Sequence, residues 1–398
     1  MLELLKALAR SNFGRYFGRK IQFMGLANNS KKKIMFVISS LVGGGAEHVV
    51  VNLINNLDRK KYEILLVIFE NKLDLESNLN IPIKIVCLYK KTRWDFLKII
   101  FKLRKTIGDY EPDSIISFLQ YTNIVTVLST LFQIRNYTLI ISERSYPRKY
   151  LTTTRLGYLK RWLMSFTYKR ADKIITVSKA IKRVLEEDFS IPPEKIKVVY
   201  NPVSLEEIIF KSQKAVEHPF FKDGNAQVII SAGRLVKLKR YDRLLRVFSL
   251  IRKSQKTARL IILGKGILKR ELENLALKLK INKFVSFVGY KDNPYAWMSK
   301  ADIFVLSSAY EGFPNVLIEA MACGVPVIST DCLSGPREII TNGKNGILVP
   351  VGDERKLAEA ILDLLNNEKK RKKFSLEAKK RVKDFEAKKI VTQYAKLF

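Results

Sequence analysis

Glu311 and Glu319 stand with seven residues between them, where an apolar run gives way to a helical pattern. The run DIFVLSS (302 to 308) reads as a buried strand of the parallel-sheet type, and Gly312 with Pro314 breaks it. A helix is expected to begin near Asn315. The amide groups of its first turn, Asn315 to Leu317, have no partners within the helix and point at whatever lies beyond the carboxyl end of the strand. An anion fits there, a diphosphate especially. Two carboxylates bracketing that helix start can grip hydroxyl groups, so the ligand that suits the whole arrangement is a nucleotide sugar. A single glutamate is ordinarily a solvated surface acid. Here Ala320, Met321, Ala322 and Val325 make Glu319 an acid in an apolar stretch, and a carboxylate so placed needs a partner.

Cations stand at a second strand end. Arg234 and Lys239 follow QVIISAG (227 to 233) in the order Gly-Arg-Leu-Val-x-x-Lys, after Gly233. Arginine offers a two-pronged fork and lysine a compact charge, a division of labour suited to phosphates. Gly43, Gly44 and Gly45 follow a third strand and precede the helical stretch AEHVVVNLINNL, which suits close approach of a phosphate to backbone amides. Gly264 and Gly266 have similar placing, though a lone Gly-x-Gly is also what a tight turn requires.

The elements that must position these groups recur along the chain. KIMFVIS, YEILLVIF, IKIVCL, SIISFL, TLIIS, KIITVS and KVVY alternate with helical patterns up to Tyr200, and QVIISAG, ARLIILG, FVSFVG, DIFVLSS and VPVIST do so after it. Such β–α alternation predicts two doubly wound parallel-sheet domains of the α/β class, with ligands in the crevice beyond the strand ends. A length of 398 residues agrees with two cores rather than one. The expected division is a basic N-terminal extension over 1–30, a first domain over 31–203, a second over 204–384, and a terminal helix over 385–398. NPVS (201 to 204) and the polar stretch to Gly224 read as the connection between the domains.

Composition excludes several classes. Cys87, Cys323 and Cys332 form an odd set without Cys-x-x-Cys spacing, and there are only two histidines, so neither a disulfide framework nor a histidine-rich metal centre is expected. No apolar stretch approaches the roughly 20 residues that cross a bilayer. The excess of 72 basic over 38 acidic side chains gives a formal charge of +34. Such a field selects polyanions, meaning nucleic acid or an anionic bilayer; a lysine-rich proteome would produce part of the same excess. From Tyr146 to Arg183, basic residues including Lys160, Arg161, Lys169 and Arg170 are interleaved with aromatic ones including Trp162. The stretch from Pro82 to Thr106 has the same character. Both read as basic amphipathic helices that could lie in a headgroup layer, although an apolar stripe over 94–103 is equally what a core-facing helix shows. No zinc spacing, RNA-binding signature or helix-turn-helix pattern accompanies the charge, so no specific nucleic-acid partner is expected.

The segment SSAYEGFPNVLIEAMACGVPVISTDCLSGPREII resembles the donor-binding signature of retaining family 4 glycosyltransferases, which have the GT-B architecture of two facing Rossmann-like domains. The resemblance continues upstream through ISAGRLVKLKRYDRLLRVF, LIILGKGILKREL and VSFVGYKDNPYAWMSKADIFVLSS. More loosely, it includes FVISSLVGGGAEHVVVNLINNL, IISFLQYTNI and LIISERSYP. It implies that Glu311, Arg234 and Lys239 carry the chemistry. Gly44, Gly45, Gly233, Gly289, Gly312, Phe313, Pro314, Asn315, Val316 and Glu319 would line the donor site, with the base held near Gly289. Relatives often carry a histidine after the fifth strand of the first domain. Here that place reads SERSYP, which leaves Glu143, Arg144 or, from the glycine loop, His48 as acid–base candidates; His48 could equally be structural. The resemblance further implies retention by front-face departure, no metal cofactor, a UDP-sugar donor carrying an N-acetylated hexosamine or hexose, and a lipid-linked or polysaccharide acceptor. The chain would then be cytoplasmic and peripheral on the inner face of the plasma membrane. A nucleotide-sugar epimerase of the same fold, or a basic nucleic-acid-binding protein, are the alternatives.

Overall fold

A computed structural model describes residues 31–131, 133–148 and 157–398, so the expected N-terminal extension and Tyr150 lie outside the described residues. Seven parallel strands form the first sheet: β1 (Lys32–Ile38), β2 (Tyr62–Ile68), β3 (Lys84–Cys87), β4 (Ser114–Phe118), β5 (Thr138–Glu143), β6 (Lys173–Thr176) and β7 (Ile196–Val198). Their order, β3-β2-β1-β4-β5-β6-β7, reverses between β1 and β4. Six parallel strands form the second: β8 (Gln227–Ala232), β9 (Ala258–Leu263), β10 (Val285–Gly289), β11 (Ile303–Leu306), β12 (Val327–Thr330) and β13 (Ile347–Val349), in the order β10-β9-β8-β11-β12-β13. Both are Rossmann-like, and each switch point opens a crevice beyond the strand ends.

Strand β1 is buried throughout Ile34–Ile38 because helices cover both faces. Ile34, Phe36 and Ile38 pack under helix Gly45–Asn56, whereas Met35 and Val37 face a layer containing helices Phe96–Tyr110, Gln120–Ser129, Gly157–Tyr168 and Lys179–Phe189. The chain passes between the domains twice at one place. Val203 N–H donates to the Phe385 carbonyl and Ala387 N–H to the Val203 carbonyl, each at 3.0 Å. Helix Ala387–Ala395 then packs on helix Gly45–Asn56 of the first domain, with Tyr394 fully buried and Phe398 edge-on to Phe36 and Tyr62.

Three features depart from the sequence reading. Strand β13 is only three residues long, too short for a periodic pattern to register. The polar connection contains helix Leu205–Ser212, which packs on helices Pro294–Met298 and Asn315–Ala322 through buried Leu205 and Ile208. The two basic aromatic blocks are composites. Lys84–Cys87 is an edge strand and only Phe96–Tyr110 is an α-helix in the first block; in the second, helix Gly157–Tyr168 is followed by β6 and helix Lys179–Phe189.

Candidate functional site

Helix Asn315–Ala322 starts beyond the carboxyl end of β11, after the loop that carries Glu311. The loop can take this path because residue 312 is glycine: a Cβ there would overlap the Arg144 carbonyl oxygen of the first domain. Phe313 stacks on Tyr200 at 5.1 Å between ring centroids and meets Phe385 edge-on at 5.7 Å, which fixes the entry to the helix. Pro314 occupies the N-cap. Asn315 accepts from Asn201 Nδ2 at 2.6 Å, Asn201 Oδ1 accepts from Arg144 at 2.5 Å, and Arg144 donates again to the Tyr394 hydroxyl at 2.8 Å. This relay joins helix Asn315–Ala322, the connection, the first domain and the terminal helix. Val316 is half-buried in the first turn.

Lys239 reaches Glu311 across the strand ends. Its Nζ lies 2.7 Å from Glu311 Oε1, and Ser308 Oγ donates to the same oxygen at 2.5 Å. Ala309 N–H bonds the Leu238 carbonyl, and Ser307 Oγ the Lys239 carbonyl, so the two loops are tied by backbone as well. Gly233, at φ +154°, leaves room for the lysine stem; a Cβ would press on Lys239 Cε at 3.3 Å and on the Tyr241 hydroxyl at 3.2 Å. Arg234 is exposed in this turn, and its charge acts on Glu47 of the first domain.

Glu319 lies one turn into the helix, half-buried, with no hydrogen bond or ion pair to its carboxyl among the described residues. Burial pushes its pKa up to about 7; the Lys239 charge pulls the other way and Glu207 adds to the rise. The two glutamates therefore differ: Glu311 is partnered and Glu319 is not. An unpartnered carboxylate is a ready acceptor for paired hydroxyl groups.

The glycine loop of the first domain faces this assembly. Gly43, at φ +81°, lies opposite the Tyr290 hydroxyl, which follows Gly289 at the end of β10. Gly44 is the extended N-cap of helix Gly45–Asn56. Glu47, in the first turn, is 9% exposed and feels the charges of Arg234 and Arg144. His48 turns towards helix Leu205–Ser212; burial lowers its pKa, Glu207 opposes this and Lys211 reinforces it, so the ring is neutral near pH 7.

Glu143 is fully buried at the end of β5. Its Oε2 accepts from the Tyr168 hydroxyl at 2.5 Å, and its Oε1 accepts from Ser145 Oγ at 2.6 Å and from the Arg144 and Ser145 amides at 2.9 Å. Both oxygens are engaged inside the first domain. Arg144, by contrast, stands at the domain junction with its guanidinium 5.0 Å over the Phe118 ring and its Nε buried without a partner. The structure thus brings together Glu311, Lys239, Gly233, Arg234, Gly312, Phe313, Pro314, Asn315, Val316 and Glu319 in the second domain, with Arg144, Gly44 and Gly45 contributed by the first, while both carboxylate oxygens of Glu143 are taken up inside the first domain. The sequence reading did not single out Glu47, Asn201, Ser308 or Tyr394. Glu47 had a signal, being an acid in the first turn of a helix just before the apolar run Val49–Val51; Asn201 meets Asn315 across 114 positions and Tyr394 meets Arg144 across 250, and neither had one. Among the described residues no cluster of three or more His, Cys, Asp or Glu could hold a metal ion.

On helix Gly157–Tyr168 the aromatic stripe divides. Tyr158 is 92% and Trp162 51% exposed, while Tyr168 is fully buried on Glu143. Trp162 stacks on Phe166 at 5.3 Å, and Arg170 lies 3.5 Å over the Phe166 ring. Lys160, Arg161, Lys169 and Arg170 are exposed around it. Helix Gln120–Ser129 packs between this helix and Phe96–Tyr110, from whose side Trp94, Leu97 and Phe101 are also exposed. Among the described residues no helix is long and apolar enough to cross a membrane.

Known proteins share this organisation. The family model described as glycosyl transferases group 1 matches residues 213–381, and that of glycosyltransferase family 4 matches residues 43–207. A Campylobacter jejuni N-acetylgalactosamine-N,N'-diacetylbacillosaminyl-diphospho-undecaprenol 4-alpha-N-acetylgalactosaminyltransferase is 34% identical over 366 residues, covering 90% of this chain and 97% of that protein. A second Campylobacter jejuni enzyme, a GalNAc-alpha-(1->4)-GalNAc-alpha-(1->3)-diNAcBac-PP-undecaprenol alpha-1,4-N-acetyl-D-galactosaminyltransferase, is 32% identical over 92% of this chain and 98% of its own. Among solved structures, Anabaena HepE in complex with UDP and glucose superposes with a TM-score of 0.78 at 21% identity, covering 92% of this chain and 98% of that one. The two sheets, their facing switch points and these full-length likenesses lead to one conclusion: the chain belongs to the retaining family 4 glycosyltransferases, enzymes of the GT-B fold that transfer hexosyl groups from nucleotide sugars.

Proposed function

We propose that this enzyme moves an N-acetylated hexosamine or a hexose from a UDP-sugar to a lipid-linked or nascent polysaccharide acceptor, with retention at the anomeric carbon. It would work while resting peripherally on the cytoplasmic face of an anionic membrane. The observation that carries the reading is the set Lys239–Glu311, Arg234 and Glu319 gathered at the start of helix Asn315–Ala322, opposite the glycine loop. Breaking the bond from anomeric carbon to diphosphate builds positive charge on the sugar and negative charge on the leaving phosphate. Arg234, Lys239 and the helix amides stabilise the second. Glu311, held by Ser308 and Lys239, receives the donor sugar's hydroxyls, and Glu319 receives the ribose. In front-face departure the leaving phosphate takes the acceptor's proton, so no side chain need act as base. Charge stabilisation is assigned to the two cations rather than to a bound metal, which an assay with and without chelator tests.

Two further facts support the acceptor. The names of both Campylobacter relatives state undecaprenol-diphosphate acceptors, and the exposed Tyr158 and Trp162 among basic residues suit a headgroup layer. The test is product analysis with labelled UDP-N-acetylhexosamines and UDP-hexoses, each offered with lipid-linked saccharide. Transfer to the lipid phase with retained anomeric configuration is expected. Epimerised donor, or no consumption of any UDP-sugar, would overturn the reading.

A further inference from the structure

Glu47 stands in the first turn of the helix that follows the glycine loop. Its carboxylate folds back over the N-terminus of its own helix so closely that a Cβ on Gly44 would overlap Oε2 and lie 3.2 Å from Oε1. It is 9% exposed, yet no ion pair is formed with any cation among the described residues, including Arg234 and Arg144, whose charges both act on it. Burial raises its pKa, while the Glu47 and Ala46 amides and the two arginines favour the charged form. A buried carboxylate on a helix start, facing arginines it does not touch, is arranged as a phosphate would be.

We propose that Glu47 is an internal stand-in for phosphate: in the empty cleft its carboxylate fills the anion seat of the glycine loop, and the donor diphosphate displaces it. The inference rests on the reading that a nucleoside diphosphate donor enters this cleft. Without the carboxylate, the positive helix start and the charges of Arg234 and Arg144 would surround a space holding no negative charge. With it, donor binding becomes an exchange of one anion for another, and stray small anions must compete with a tethered occupant. The same tether opposes the donor, because the carboxylate must be moved aside from the helix start and from the two arginine charges that favour its charged form. Glu47 is therefore a positioning residue that sets how strongly a diphosphate must bind to be accepted.

Calorimetry on the full chain with UDP, inorganic pyrophosphate and uridine, for wild type, Glu47→Gln and Glu47→Ala, tests this. Both variants should bind UDP and pyrophosphate about 5- to 30-fold more tightly and uridine equally, because only diphosphate competes with the carboxylate. A merely structural glutamate would weaken all three or none, and melting curves confirm that each variant is folded. If wild type binds UDP and both variants bind it with equal or lower affinity, the stand-in is overturned and the donor reading survives. If no form binds UDP, the donor reading falls and this inference with it.

Discussion

Lys239 Nζ lies 2.7 Å from Glu311 Oε1, and the two side chains are only 14% and 11% exposed. A pair so enclosed gains little net stability, but removing one partner strands the other charge away from water. Lys239→Met should therefore unfold at lower denaturant concentration than wild type, and adding Glu311→Gln should restore part of the loss. A coupling of about 0.5 to 3 kcal/mol is expected from urea melts of the four-protein cycle; simple additivity would show that the contact carries no weight. In kinetics the pair should separate again. Lys239→Ala should cost about 2 to 4 kcal/mol in kcat, as loss of a preorganised charge does, while Glu311→Ala should lose turnover more than UDP affinity.

If Glu319 holds the ribose, nucleotide affinity should depend on pH. Its pKa of about 7 in the folded chain exceeds that of an ordinary glutamate, because burial disfavours the anion. Between about pH 4.5 and 7 the folded chain holds a proton that the unfolded chain has released. This group's stabilising contribution is thus complete at the acid end of that window and lost as pH rises through about 7. Ribose recognition by the carboxylate runs the other way and should weaken as pH falls below 7. Uridine titrations at pH 6 and 8 should show tighter binding at pH 8 in wild type and no difference in Glu319→Gln; a wild type indifferent to pH would contradict the ribose assignment.

Glu143 is expected to matter for folding. Its pKa is raised by burial, against the hydrogen bonds of Ser145, Tyr168 and two amides. Tyr168→Phe removes one of those donors and should destabilise the first domain by about 1 to 3 kcal/mol, with kcat/KM at permissive temperature within a few-fold of wild type. A loss of turnover without a loss of stability would return Glu143 to the list of acid–base candidates.

Membrane attachment should be reversible and salt-sensitive. Each basic residue near an anionic surface contributes about 1 kcal/mol, screened as salt rises. Changing Lys160, Arg161, Lys169 and Arg170 to Gln should abolish co-sedimentation with anionic vesicles at low salt, and wild type should dissociate at high salt. Equal binding to neutral and anionic vesicles would remove the electrostatic part of the proposal.

Much of this was legible in the sequence, and the pattern of what was not has a physical cause. All seven strands of the first sheet and five of the six in the second were readable, because parallel strands covered on both faces are continuous apolar runs. The loop that carries Glu311 was readable because Gly312, Pro314 and the two glutamates are local in sequence. Contacts between distant segments left no trace: Arg144 meets Tyr394 across 250 positions and Asn201 meets Asn315 across 114. Periodicity identified the aromatic stripe of helix Gly157–Tyr168 but could not apportion its faces. Tyr158 and Tyr168 have similar neighbours in sequence and opposite environments in space.

The side-by-side passages at Val203 and Glu386 decide what the two domains can do to each other. A single linker is a swivel, free to twist as well as bend. Two passages stitched by backbone hydrogen bonds act as the spine of a book, which resists torsion and leaves only the angle between the covers. Arg234 on one cover and Glu47 on the other can then approach or separate but cannot slide out of alignment. Unpicking the tail from Val203 would leave each half of the site intact and the two halves misaimed.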